Sequence, residues 1–240
     1  MLMSTVFKTV TLADQVYAYL LRRISTGVYP PRSPLREPDL VERLGVSRSP
    51  IREALLRLTE HGLVEVAGRS AQVRSLSSDD LIHIYQVRKA LEGEAVRLAC
   101  GRLTAEDFVR LEALALNDCG EATPEYEAAC FELDHELHRL IAERSGNPIL
   151  AQEIRKLHDL VQLVHKPVAD RHDLLARERR EHLQIVERLQ AGDRQGSHKA
   201  LLAHLRLSCQ SQVRCVQEGS GHAPDRQSDR EQLSRDNFME

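Results

Sequence analysis

Between Leu44 and Leu55 the chain reads Leu-Gly-Val-Ser-Arg-Ser-Pro-Ile-Arg-Glu-Ala-Leu, and few backbones suit that order. Gly45 stops one helix, Ser47 is a good N-cap for the next, and Pro50 is tolerated only in a first turn. Upstream, Leu12, Val16, Tyr19, Leu20 and Ile24 recur at helical spacing, and Gly27 with Pro30-Pro31 ends that helix. A turn over 32–36 leads into a second helix, Glu37 to Leu44. The third begins within Ser47 to Pro50 and runs to His61-Gly62. Residues 63–66 and 71–74 alternate around Ala67-Gly68-Arg69-Ser70, which reads as a short hairpin. Three short helices and a β-wing predict a winged helix-turn-helix over residues 1–75.

That geometry lays the third helix in the major groove of double-stranded DNA. Arg48 and Arg52 share a face in its N-terminal part, and Arg is the commonest reader of guanine. Ser47 and Ser49 stand at the positive helix end, where phosphate binds. The plainer alternative is a solvated Arg face with Glu53 as ion-pair partner.

Charge follows the same division. Residues 1–75 carry 11 Lys/Arg against 7 Asp/Glu, whereas 76–216 carry 19 against 23 and 217–240 carry 3 against 6. A basic head on an acidic body meets a polyanion with the head alone. The net charge of −3 excludes a globally basic nucleic-acid coat. The absence of Trp and the 4% aromatics argue against stacking on single-stranded bases. No apolar stretch is long enough to span a membrane, and the first ten residues lack a signal-peptide core. Five Cys, at 100, 119, 130, 209 and 215, form no CxxC and read as reduced thiols of a cytoplasmic protein, most of them core filler.

Beyond Ser75 the pattern is helical throughout, near 78–101, 104–117, 124–145, 147–166, 171–191 and 194–216, which predicts a bundle of about six helices. From Gln217 apolar residues become scarce, and a disordered tail is expected over 217–240. Eight of the 11 His fall between 135 and 204. Asp134 and His138 are i, i+4 on a face shared with Cys130, Leu137 and Ile141. His182 is followed by Ile185, Val186 and Leu189 at helical spacing, and His204 lies between Leu201 and Leu207. Three inward His and one inward Asp suit a first-row divalent ion, although each His taken singly reads first as a satisfied core residue. Zinc suits neutral imidazole, with nickel and manganese as alternatives. Arg88 shares a stripe with Leu81, Ile84, Leu91 and Ala95 and so needs an anion. That anion is either Glu92 or a carboxylate-bearing effector. His135, His158, His165, His172 and His198 carry no comparable argument and read as surface or supporting residues.

The segment 35–40 with 44–55, continuing through Leu58 and Gly62-Leu63-Val64, resembles the DNA-binding head of the GntR family of bacterial transcription regulators. The resemblance implies Ser47, Arg48, Ser49 and Arg52 as DNA contacts. Pro38 stands where relatives often carry a polar or Arg residue, and Gly68-Arg69-Ser70-Ala71 departs from an Arg-Gly wing tip. Arg69 is the candidate for the minor groove. Arg88 and Glu92, then Asp134-His135-Glu136-Leu137-His138, Ser145-Gly146-Asn147-Pro148, Glu181-His182 and His204-Leu205 are similar to the FCD ligand-binding domain of FadR-type members. That resemblance implies an antiparallel helical bundle and a metal held by Asp134, His138, His182 and His204. It also implies a small carboxylate effector near Arg88, with Leu137 where the family carries Phe. Together the expectation is a mostly α chain, a winged helix-turn-helix followed by that bundle. It would act as a homodimeric, ligand-responsive regulator, a repressor by expectation, that reads a palindromic operator. The rivals are a metal-dependent enzyme acting on a small organic acid and an architectural DNA-binding protein without an effector.

Overall fold

A computed structural model describes residues 10–68, 70–116, 123–164 and 171–219, with the side chains of residues 124, 171, 172 and 219 left aside. The described residues begin with α1 (Leu12–Ser25), β1 (Pro34–Leu35), α2 (Glu37–Leu44), α3 (Arg48–Glu60), β2 (Val64–Ala67) and β3 (Ser70–Val73). Six helices follow: α4 (Ser78–Ala99), α5 (Ala105–Leu116), α6 (Pro124–Arg144), α7 (Pro148–Val161), α8 (Arg171–Gln190) and α9 (Arg194–Gly219).

Local chemistry sets the head. Thr11 and Asp14 close a capping box on α1, and Asp14 also accepts from Arg57 of α3 at 2.8 Å. Gly45 takes φ 63° between α2 and α3, a left-handed turn that a side chain would strain. Val16, Leu20 and Ile24 pack on Leu40, Ile51, Ala54 and Leu58 beneath the wing. The wing has one strand more than the alternation predicts. Pro34 and Leu35, expected in a turn, pair antiparallel with Gln72 and Ala71, giving the order β1-β3-β2. The reason is that Leu35 is buried in the head core, and Arg32 N and Val73 N close the pairing with bonds of 2.8 and 2.9 Å.

In the body, Ser77 and Asp80 form the capping box of α4, and Arg74 reaches Asp80 at 2.9 Å. Ser145-Gly146-Asn147-Pro148 turns α6 into α7. Gly146 has φ 74°, Asn147 accepts from Ile149 N and Leu150 N at 3.1 Å, and Pro148 occupies the first turn. At Gly93, α4 and α9 approach so closely that a Cβ would stand 3.2 Å from His198 Nε2.

Two helix ends differ from expectation. α7 stops at Val161 rather than near 166, because Leu163 drops out of helical register and is buried against the head. α9 runs to Gly219, so the first residues expected in a disordered tail are helical. Val213 and Val216 pack on the head core, and Arg214 pairs with Glu218 at 2.6 Å. The remainder of that tail, 220–240, lies outside the described residues. Head and bundle share apolar packing: Leu81, Leu160 and Leu163 belong to the same buried cluster as α1 and α3. No described helix is long and apolar enough to cross a membrane.

Candidate functional site

Three bundle helices converge on one polar cluster inside the apolar core. α6 brings Asp134 and His138, α8 brings His182, and α9 brings His204, with their ligating atoms within 4.8 Å of one another. Leu137, Ile141, Ile185, Val186, Leu201 and Leu205 are buried around them and fix the facing sides. All three His are 2% exposed, while the Asp134 side chain keeps 27% of its surface open. Asp134 Oδ1 lies 3.2 Å from His182 Nε2 and 3.7 Å from His138 Nε2, and His182 Nε2 lies 3.2 Å from His204 Nε2.

Two carboxylates orient the rings from behind. His138 Nδ1 donates to Glu92 Oε2 at 2.5 Å, and His204 Nδ1 donates to Glu181 Oε2 at 3.0 Å. Arg177 lies 3.2 Å from Glu181 and steadies it. In each neutral ring the proton is then on Nδ1 and a lone pair on Nε2 faces the cluster. His138 Nε2 is buried without a hydrogen-bond partner and points toward a carboxylate, another acceptor. Converging lone pairs and a carboxylate call for a cation. Ligands at ~2.0–2.1 Å in a tetrahedron stand about 3.3 Å apart, close to the 3.2 Å separations of His182 Nε2 from Asp134 Oδ1 and from His204 Nε2. The residues therefore fit a divalent ion, with Asp134 on the open side.

The electrostatics favour the ligand forms. Burial, reinforced by the neighbouring His182 and His138, holds His204 well below the usual imidazole range, so it is neutral. Burial pushes Asp134 up, but the His182 hydrogen bond and the surrounding imidazoles outweigh it and keep the carboxyl well below its ordinary range. Burial likewise acts to raise Glu92, and the Arg88 charge with the hydrogen bonds from His138 and Arg88 holds it at about 2.

Arg88, 3% exposed, has its anion in place. Its Nε donates to Glu92 Oε1 at 2.6 Å, and its guanidinium stands 5.0 Å over the Tyr85 ring. Glu92 joins it to His138, which places it beside the cluster.

Sequence reasoning passed over His158 as a site residue. It is 5% exposed, with Nε2 3.4 Å from Asp134 Oδ2 and its ring 5.5 Å from that of His138. The signal was present: Ala151, Ile154, His158 and Val161 form one helical stripe. Glu181 was also missed as the orienting partner of His204. His135 is exposed, and His198 packs at Gly93. His165 and the side chain of His172 lie outside the described residues.

On the head, Ser47, Arg48, Ser49 and Arg52 are all exposed on the first turns of α3. Ser47 is at the N-cap but makes no side-chain cap bond, so the helix start keeps N–H groups for another acceptor. Arg52 Nε donates to Glu37 of α2 at 2.8 Å rather than to Glu53. Arg69 lies outside the described residues.

Comparison with known families agrees with this architecture. Residues 12–73 match the model for bacterial regulatory proteins of the gntR family, and residues 83–207 match the FCD domain. The chain belongs to the GntR family. Its pairing of a GntR head with an FCD domain fits the FadR-type subfamily. This GntR protein is 30% identical to a protein of Paenarthrobacter nicotinovorans named probable D-xylose utilization operon transcriptional repressor, over 81% of this chain and 86% of that one. It is 27% identical to the transcriptional repressor RspR of Escherichia coli, over 86% and 91%. The E. coli structure McbR/YncC shares the fold, with TM-score 0.71 and 24% identity over 86% of this chain and 99% of that chain. The metal-free FCD domain of another transcriptional regulator covers 60% of this chain with TM-score 0.50 and 18% identity. This GntR protein is accordingly a transcription regulator of the GntR/FCD type.

Proposed function

We propose that this regulator is a metal-dependent, effector-responsive DNA-binding protein. Residues 1–75 form its DNA-reading head and 76–216 its sensing bundle. The observation that carries the reading is the convergence of Asp134 Oδ1 with His182 Nε2 and His204 Nε2 at 3.2 Å steps, backed by Glu92 and Glu181. Asp134, His138, His182 and His204 would hold zinc, for which neutral imidazole and carboxylate are suitable ligands. The ion would supply a Lewis-acidic anchor for a carboxylate effector entering past Asp134. Arg88 uses its Nε on Glu92 and has further donors on its guanidinium for the same effector.

The head would work through α3. Arg48 and Arg52 would read base edges, Ser47 and Ser49 would bond phosphate at the uncapped helix start, and Arg69 would reach the minor groove. A homodimer would place two heads on the half-sites of a palindrome. Effector changes DNA affinity only if it binds one arrangement of heads better than the other. Repression is the sign we assign, after the relatives named as repressors.

The test is thermal unfolding of metal-stripped and zinc-loaded protein against a panel of small organic acids. A ligand confined to the folded state adds ~2.7 kcal/mol at a hundredfold excess over Kd. The expected result is a shift from one acid that depends on zinc. A zinc shift without any acid shift would make the metal structural, and no shift from zinc would remove the metal site.

A further inference from the structure

Asp134 is a carboxylate with two differently engaged ends. Oδ1 faces the cluster at His182, while Oδ2 lies 3.4 Å from Nε2 of His158 on α7. His158 belongs to none of the three ligand-bearing helices. Its Nδ1 is buried without a partner, and the Gln162 amide lies against the same Nε2 at 3.2 Å. Asp134 can only accept, so His158 meets it as a donor in the tautomer that carries the proton on Nε2, and the Gln162 side-chain nitrogen is the other group at that atom.

The helix that carries His158 is also the helix under the DNA-binding head. Leu160 and Leu163 are buried in the head core. Leu160 Cδ2 lies 3.4 Å from where a Cβ on Gly62 would stand, and Gly62 follows directly on the end of α3. The charge of Asp159, next in the chain to His158, acts on Tyr17 of α1, whose hydroxyl pairs with His61 Nδ1 at 2.7 Å. His61 is the C-cap of α3. One turn of α7 therefore touches the carboxylate of the candidate centre on one side and the C-terminal end of the DNA-reading helix on another.

We infer that His158 is a positioning residue that transmits occupancy of the metal centre, through Asp134 and α7, to the seat of α3 in the head. The inference rests on the metal reading above. An ion at Oδ1 draws the Asp134 carboxylate toward α8 and α9. Oδ2 lies against His158, so the same displacement bears on α7, whose Leu160 is buried in the core of the head. Close-packed elements pass such shifts on as rigid bodies.

The experiment uses the full chain and a duplex operator selected by the wild-type protein from a random-sequence pool. Zinc stoichiometry and operator affinity with and without zinc are measured for wild type, His158→Leu, His158→Gln and Leu160→Ala. Coupling between two sites is typically ~5–150-fold. The expected result is that all four bind zinc. Wild type and His158→Gln should keep the zinc-dependent change in operator affinity, whereas His158→Leu and Leu160→Ala reduce it to about twofold or less.

An unchanged ratio in His158→Leu or in Leu160→Ala would overturn the inference. Loss of zinc from both His158 variants would overturn it too, because the residue would then hold the ion rather than report it. Wild type that binds zinc with no effect on operator affinity overturns the transmission alone. Wild type that binds no zinc overturns the metal reading and this one with it.

Discussion

His182 Nε2 stands 3.2 Å from His204 Nε2, across the seam between α8 and α9. Glu181 accepts the Nδ1–H hydrogen bond of His204, so the nitrogen that meets His182 carries a lone pair. Removing either ring takes away one of the donors that a buried ion would need. His182→Ala and His204→Ala are expected to reduce bound zinc from about one ion per chain to near none, read by equilibrium dialysis. Full retention in both variants would move the site elsewhere.

Glu92 holds Arg88 with one oxygen and His138 with the other, at 1% exposure. Glu92→Ala leaves a buried guanidinium without its anion, at a cost of about 3–5 kcal/mol in urea unfolding. The double variant Arg88→Met, Glu92→Leu removes both charges and should lose much less. Equal losses in the two variants would refute this account of the pair.

Arg48 is exposed at the start of α3. Arg48→Ala should weaken operator binding by ~1–3 kcal/mol if the side chain makes a bidentate base contact. Arg52 must first leave Glu37. Glu37→Gln weakens that hold and removes a carboxylate from the DNA-facing side, so operator affinity should rise severalfold in a fluorescence titration. A fall would show that Glu37 aligns Arg52 instead.

Burial raises the Asp159 carboxyl from 3.8 to about 6, against the opposing charge of Arg155. The folded state therefore holds this proton more tightly than the unfolded chain. The stability it lends is full below about pH 4 and lost as pH rises through 6. Asp159→Asn should accordingly be more stable than wild type at pH 7.5, by about 2–3 kcal/mol at 1.36 kcal/mol per pH unit. The gap should close toward pH 4 in urea melts. A gap independent of pH would mean that Asp159 does not titrate in this window.

Much of this was legible in the chain. Gly45, Ser47 and Pro50 left one arrangement for α2 and α3, and Ser145 to Pro148 marked the turn that starts α7. The inward placement of His138, His182 and His204 follows from their apolar neighbours at helical spacing. β1 was illegible because two residues carry no period, and Leu35 earns its place only by pairing with β3. His158 shares its stripe with apolar residues as plainly as His204 does. What marks it is Asp134, a partner on another helix, and no local pattern reveals that. The extension of α9 was hidden similarly, since Val213 and Val216 find their apolar surface in the head rather than on a neighbouring turn.

Leu160 and Leu163 come from the bundle yet lie in the core of the head. The two halves of this regulator are therefore not interchangeable parts. A head grafted onto a foreign bundle inherits a hollow where those leucines stood, and a head expressed alone exposes greasy surface to solvent. Whoever builds a hybrid sensor from this protein must carry α7 and the end of α9 along with the DNA-reading helix, or redesign the floor on which it rests.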